Sequence, residues 1–138
     1  MVEHDLYSKS SDDDFLQLLK LTTYVTNTKA AAISFIEDER QFIRYVYGPN
    51  LVPIELPVKD SLSQFITSNC GFVEITNLST DSRTQELYES GKIPFKYYGG
   101  LPIYNEKNEV IGSICAFNDV PKQLDESQIS AFKALVEQ

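Results

Sequence analysis

The sequence predicts an α+β domain in which helices cover one mainly antiparallel sheet of five to six strands. Strand-like runs come in pairs joined by short polar loops, as antiparallel neighbours do. Clear helical periodicity lies at the two ends of the chain and in one short middle segment. The 138 residues, 42% of them hydrophobic, suit one domain with its own core.

Residues 1–10 are a polar lead-in, and residues 11–138 form the domain. Ser11-x-x-Asp14 resembles a capping box, with acidic residues where the helix dipole favours them. Phe15, Leu18, Leu19, Leu21 and Val25 follow at helical spacing. Thr22, Thr23 and Thr26 weaken the helix, so it should end near Asn27. Residues 31–36 and 41–47 read as strands, with Glu37 to Arg40 as the hairpin loop. Gly48-Pro49-Asn50 stops the second strand. Pro53 and Pro57 make 51–58 an extended edge or loop.

Ser61-x-x-Gln64 opens a second helix over 60–69, with Leu62, Phe65 and Ile66 on one face and Gly71 at its C-terminus. Residues 72–76 are a short strand. Residues 77–92 are polar, with a helical turn at 84–89. Residues 95–104 and 109–118 form the best hairpin, and Asn108 in its loop tolerates a left-handed backbone. Asp125 caps the last helix and Gln128 closes its box. Ile129, Phe132, Leu135 and Val136 carry its apolar stripe. Helices at both ends are expected to share one face of the sheet.

Charge excludes several partners. Asp and Glu number 20 against 12 Lys and Arg, a net charge of -8. That balance repels phosphate backbones and anionic membranes, and no local basic patch offsets it. Asp12-Asp13-Asp14 reads as a complement to the helix dipole and not as a metal site. Cys70 and Cys115 are far apart, with no C-x-x-C pair. With His4 as the single histidine, they cannot build a tetrahedral zinc site. Two free thiols suit a reducing compartment. No stretch approaches the ~20 apolar residues of a membrane span, and Met1 opens no signal peptide. The expectation is a soluble, cytoplasmic chain that binds neither nucleic acid nor membrane.

Several segments, taken in order, resemble the GAF domains of bacterial signalling proteins. Ile93-Pro-Phe-Lys-Tyr-Tyr-Gly-Gly-Leu-Pro-Ile103 is similar to the family's F-Y-A-G-x-P-L strand. Val110-Ile-Gly-Ser-Ile-Cys-Ala-Phe-Asn-Asp119 is similar to x-L-G-T-L-C-V-I-D. Pro121 to Gln128 is similar to the P-R-x-L-S-x-x-Q entry into the last helix. Asp81-Ser-Arg83 is similar to a D-x-R loop, and Phe35 to Tyr47 to the opening hairpin. The resemblance implies a GAF-like or PAS-like α/β sandwich. It places the terminal helices on one face and a ligand pocket on the other, under the middle helix and loop. It further implies a sensory module attached to an output domain such as a histidine kinase, cyclase or phosphodiesterase.

On that resemblance the candidate pocket residues are Phe35, Tyr45, Phe65, Arg83, Tyr97, Tyr98, Ser113 and Cys115. Each has a plainer reading. Arg83 can recognise an anion, or anchor its loop on Asp81. The tyrosines can line a pocket, or pack as strand tyrosines do. Cys115 and Cys70 can carry thiol chemistry, or pack as small hydrophobes; packing is expected, and no catalytic residue is assigned. Neither cysteine has a neighbouring histidine, so no bilin is expected. The cysteine clusters of the family's methionine sulfoxide reductases are absent. Asn118 is followed by Asp119, which breaks the N-K signature of cyclic-nucleotide GAF domains. The reading is therefore a non-enzymatic regulatory domain that binds a small molecule, dimerises, or does both. The alternatives are a small reductase using Cys70 or Cys115, and a ligand-free interaction module. Leu16, Ala131 and Leu135 widen the terminal-helix stripes and suggest a homodimer through them.

Overall fold

The computed structural model describes residues 12–49, 51, 55–57, 61, 62, 64–66, 71–91 and 93–136. Its elements run α1 (Asp12–Thr26), β1 (Ala30–Glu37), β2 (Arg40–Tyr47), β3 (Glu55–Pro57), β4 (Val73–Ile75), α2 (Gln85–Glu89), β5 (Tyr97–Tyr104), β6 (Val110–Asn118) and α3 (Glu126–Val136). The strands form one six-stranded antiparallel sheet in the order β3-β2-β1-β6-β5-β4. The two hairpins, β1-β2 and β5-β6, join at the centre through β1 and β6. There Gly112 is required, because a Cβ on it would lie 2.3 Å from the Ser34 carbonyl oxygen.

The five strands expected from the sequence are all present. The proline-bearing segment contributes a sixth, β3, at the sheet edge, where the missing N–H of Pro57 removes nothing from a central ladder. In the middle segment expected to be helical over 60–69, residues 64–66 are helical; residues 60, 63 and 67–69 lie outside the described set. Gln64 Nε2 donates to the Ser61 carbonyl at 2.8 Å. The Ser11 cap also lies outside the described residues.

Backbone chirality sets the punctuation. Asn27 ends α1 with φ 53° and Asn108 turns the β5-β6 loop with φ 62°. The β1-β2 loop is two residues, Asp38 and Glu39, both at positive φ, which is the hairpin geometry that matches strand twist. Glutamate is a poor occupant of that conformation. Replacing Asp38-Glu39 by Asn-Gly should stabilise the fold by about 0.5–1 kcal/mol, read as a rise in the thermal midpoint.

Alternation along the central strands splits the core in two. On one face Ala31, Ile33, Phe35, Leu101 and Ile114 pack against Phe15 and Leu19 of α1 and Phe132 of α3. On the other, Ala30, Ala32, Val73, Ile75, Tyr98, Cys115 and Phe117 pack against Leu62 and Ile66 of the middle segment. The terminal helices thus share one face, as expected.

α3 opens on the predicted box. Gln128 N–H donates to Asp125 Oδ1 at 2.8 Å, and Asp125 N–H donates to Gln128 Oε1 at 3.0 Å. Lys122, just before it, caps the C-terminus of α1 by donating to the carbonyls of Thr26 (2.6 Å) and Asn27 (2.8 Å). The α1 threonines do more than weaken the helix. All three are buried, and their hydroxyls donate to the carbonyls of Leu18, Lys20 and Thr22 in the preceding turn. No helix among the described residues is long and apolar enough to cross a membrane.

Candidate functional site

The face turned away from the terminal helices carries a row of buried polar groups. Ser34 and Ser113 sit opposite each other on β1 and β6, their hydroxyl oxygens 2.8 Å apart. Two residues along β6, Cys115 Sγ lies within hydrogen-bond distance of Tyr98 Oη (3.2 Å) and Ser113 Oγ (3.4 Å). Tyr98 reaches Cys115 because Gly100 leaves room beside it. A Cβ at Gly100 would stand 2.8 Å from Tyr98 Oη and 2.7 Å from Ile66 Cδ1. Ile66 therefore lies over this part of the sheet and the helical turn forms its cover.

Beside the turn, Phe65 packs against the same core, with the Arg83 guanidinium 5.8 Å from its ring. Arg83 is committed to Asp81 through two bonds, Nε to Oδ1 at 2.9 Å and Nη2 to Oδ2 at 2.8 Å. That pairing holds the Asp81 carboxyl below its ordinary range and pushes Arg83 up. Thr84 Oγ1 pins the same loop by donating to the Leu78 carbonyl at 2.9 Å.

Five of the eight candidate residues, Phe65, Arg83, Tyr98, Ser113 and Cys115, come together on this side. Phe35, Tyr45 and Tyr97 do not. Phe35 follows Ser34 and alternation turns it to the helix face, near Arg44. Tyr45 stacks on Phe15 at 4.6 Å. It reaches that face because a bulge opposite Ile33 and Ser34 reverses the alternation of β2, leaving Ile43 on one side and Tyr45 on the other. Tyr97 is adjacent to Tyr98 and so points the opposite way. Its hydroxyl donates to Glu74 Oε2 at 2.8 Å, and the Leu124 N–H donates to the same oxygen at 2.9 Å.

Three residues on neither list matter. Glu74 ties β4 to the entry of α3, and Lys122 ties that entry to α1. Gln41 is 7% exposed, and its Oε1 is buried with no hydrogen-bond partner. A glutamine at an inward position of a strand is the sequence signal that could have flagged Gln41.

Cys115 has the chemistry of a packed thiol. Burial pushes it up to about 11, against smaller lowering by its Ser113 and Tyr98 contacts. Its thiolate is then scarce at neutral pH. Native protein should leave Cys115 unreacted with a thiol reagent long after unfolded protein has reacted. Cys115→Ser should cost on the order of 1–3 kcal/mol, because the shorter hydroxyl is a more demanding polar group at a fully buried position. Reaction at the speed of an exposed thiol would sink both expectations. Cys70 lies outside the described residues, and among those residues no group of His, Cys, Asp and Glu could hold a metal ion.

A six-stranded antiparallel sheet with terminal helices on one face and a covered second face is the arrangement of GAF domains, and the chain has that fold. Comparison with known proteins agrees. The GAF domain of a two-component sensor histidine kinase from Bacillus halodurans superposes with a TM-score of 0.73 at 15% identity, over 93% of this chain and 89% of that one. Free methionine-R-sulfoxide reductase from Neisseria meningitidis superposes with a TM-score of 0.72 at 10% identity, over 91% of this chain and 73% of that one. In sequence, a cyclic di-GMP phosphodiesterase of Pseudomonas aeruginosa is 24% identical over 136 residues. The match takes in 95% of this chain, which spans 23% of that protein's length. No family model matches the chain.

Proposed function

We propose that the chain is a regulatory, sensory GAF domain that binds a small molecule on the face beneath the 64–66 turn and acts on an output domain in a longer signalling protein. The observation that carries this reading is the buried polar row Ser34, Ser113, Cys115 and Tyr98 on the face the terminal helices leave free. A face meant only for packing would be cheaper to build from apolar groups. Phe65 and Arg83 complete the proposed site at its edge. The output is of the kinase, cyclase or phosphodiesterase kind. Support for this comes from the sensor kinase and the phosphodiesterase that the chain resembles. The setting is bacterial and cytoplasmic, with no nucleic-acid or membrane partner and no bilin or other resident cofactor.

The same reading includes a homodimer through the terminal helices. Leu16 is 40% exposed on α1. On α3, Ala131 is exposed and Leu135 half-buried. These residues supply the outward apolar surface. Sedimentation of wild type against a Leu16→Glu, Leu135→Glu variant tests it: the wild type should be dimeric at tens of micromolar and the variant monomeric, while a monomeric wild type refutes it.

The likeness to a methionine sulfoxide reductase favours one rival, a reductase using Cys70 or Cys115. The raised, buried Cys115 thiol weighs against it. Two measurements separate the readings. Incubation with free methionine-R-sulfoxide and dithiothreitol should release no methionine. Native mass spectrometry of the purified protein should show a co-purified small molecule that Ser113→Val protein lacks. Steady release of methionine would establish the rival.

A further inference from the structure

Tyr97-Tyr98-Gly99-Gly100 in β5 repeats one arrangement on both faces of the sheet. Each tyrosine lies over the glycine two residues on, where a side chain would collide with its hydroxyl. A Cβ at Gly99 would stand 2.5 Å from Tyr97 Oη, and one at Gly100 2.8 Å from Tyr98 Oη. On the covered face, Tyr98 Oη thereby comes beside Cys115. On the helix face, Tyr97 Oη reaches the carboxylate of Glu74, the residue paired with Gly99 across β4 and β5. The same Glu74 oxygen accepts the Leu124 N–H, one residue before the Asp125 cap of α3. One oxygen therefore joins β5 to the start of the last helix.

The joint matters because the body of α3 is thinly held. Phe132 is its one buried residue. On the same face, α1 buries Phe15, Leu19, Thr22, Thr23 and Thr26. Gln128 Nε2 adds a long bond, 3.4 Å, to the Val25 carbonyl. Elements with few buried contacts open at less than the cost of global unfolding. A bond to a carboxylate is roughly twice as strong as one between neutral groups, so the Leu124–Glu74 bond weighs heavily in that cost. Upstream, Lys122 stays fixed: its N–H donates to the Thr76 carbonyl at 3.2 Å and its ammonium to the end of α1. Exposed Gln123 is the natural pivot between the two.

We propose that α3 is a detachable helix, that it leaves the sheet about Gln123 while the strands stay paired, and that Glu74 is its latch, set from β5 by Tyr97. Both are positioning residues. The Tyr97 hydroxyl, held in place over Gly99, fixes the carboxylate where Leu124 meets it, and a shift of β5 that draws Tyr97 away loosens the helix. The latch stands without the ligand-sensing reading.

Amide hydrogen exchange followed by NMR tests this on the full chain. In wild type, Ile129 and Phe132 of α3 should share one protection level, at least tenfold below that of Ile33 and Ile114 in the central strands. Glu74→Gln should lower the α3 level at least a further fivefold. Tyr97→Phe and Gly99→Ala, which change only β5, should lower it at least threefold. A Tyr97–Glu74 bond that served the sheet alone would survive the opening of α3. Its loss would then lower protection at Ile33 and Ile114 and leave Ile129 and Phe132 as they were, which overturns the proposal. So does a wild-type α3 as well protected as the central strands. Tyr97→Phe keeps the test decisive if Glu74→Gln or Gly99→Ala fails to fold.

Discussion

Phe132→Ala should cost about 3–5 kcal/mol. Phe132 is fully buried, and it is the one buried residue of α3. It meets Phe72 edge-on at 6.3 Å and joins the core made with Phe15, Leu19 and Ile114. Little else anchors the helix by apolar contact, since Ile129, Leu135 and Val136 are only half-buried. A whole domain is stable by only about 5–15 kcal/mol, so the variant should sit near the edge of folding. Urea denaturation followed by far-ultraviolet circular dichroism measures it. A loss below about 1 kcal/mol would mean that α3 is held mainly by its polar ties, the Asp125–Gln128 box and the Glu74 bond to Leu124.

Alkaline pH should destabilise the protein steeply from about pH 9 upward. Three buried acids share the cause. Cys115 is pushed up to about 11 from an ordinary 9.0, chiefly by burial. Tyr98 is raised well above 10.0, by burial first and then by Cys115 beside it. Tyr97 is raised by burial and by its bond to the Glu74 carboxylate, beside which its phenolate would be a second anion. Each group is neutral when protonated, and the folded state holds that proton more tightly than the unfolded chain. Stability is therefore complete below pH 9 and falls as the unfolded chain ionises first. Cys115 alone accounts for on the order of 2–3 kcal/mol by pH 11, and the tyrosines add to it above pH 10. Urea midpoints from pH 7 to 11 should decline accordingly, and Tyr98→Phe should flatten the upper part of the curve. A flat profile between pH 8 and 11 would contradict the burial of these three groups.

Strand positions were legible in the sequence because alternation and hairpin loops are local signals. So were the Asp125–Gln128 box and the left-handed Asn108, which rest on side-chain chemistry within a few residues. The site was legible only in part. That Tyr97 and Tyr98 must face opposite ways follows from strand period alone, as does the separation of Phe35 from the face that carries Ser34 and Ser113. The placement of Tyr45 does not, because the bulge in β2 that reverses its face leaves no residue signature in Gln41 to Tyr47. Glu74 was illegible for a different reason. Its partners, Tyr97 and the Leu124 amide, are 23 and 50 residues away, and only the closed sheet brings them to one oxygen.

Sensing is proposed for the covered polar face and not for the terminal-helix face. Amide NMR of labelled protein, recorded with and without a small-molecule extract of bacterial cells, tests it most directly. Resonance shifts should concentrate at Ser34, Gln41, Tyr98, Ser113 and Cys115, and Ser113→Val should abolish them. Shifts centred on Phe15, Tyr45 and Phe132, or a spectrum that no extract fraction changes, would contradict it.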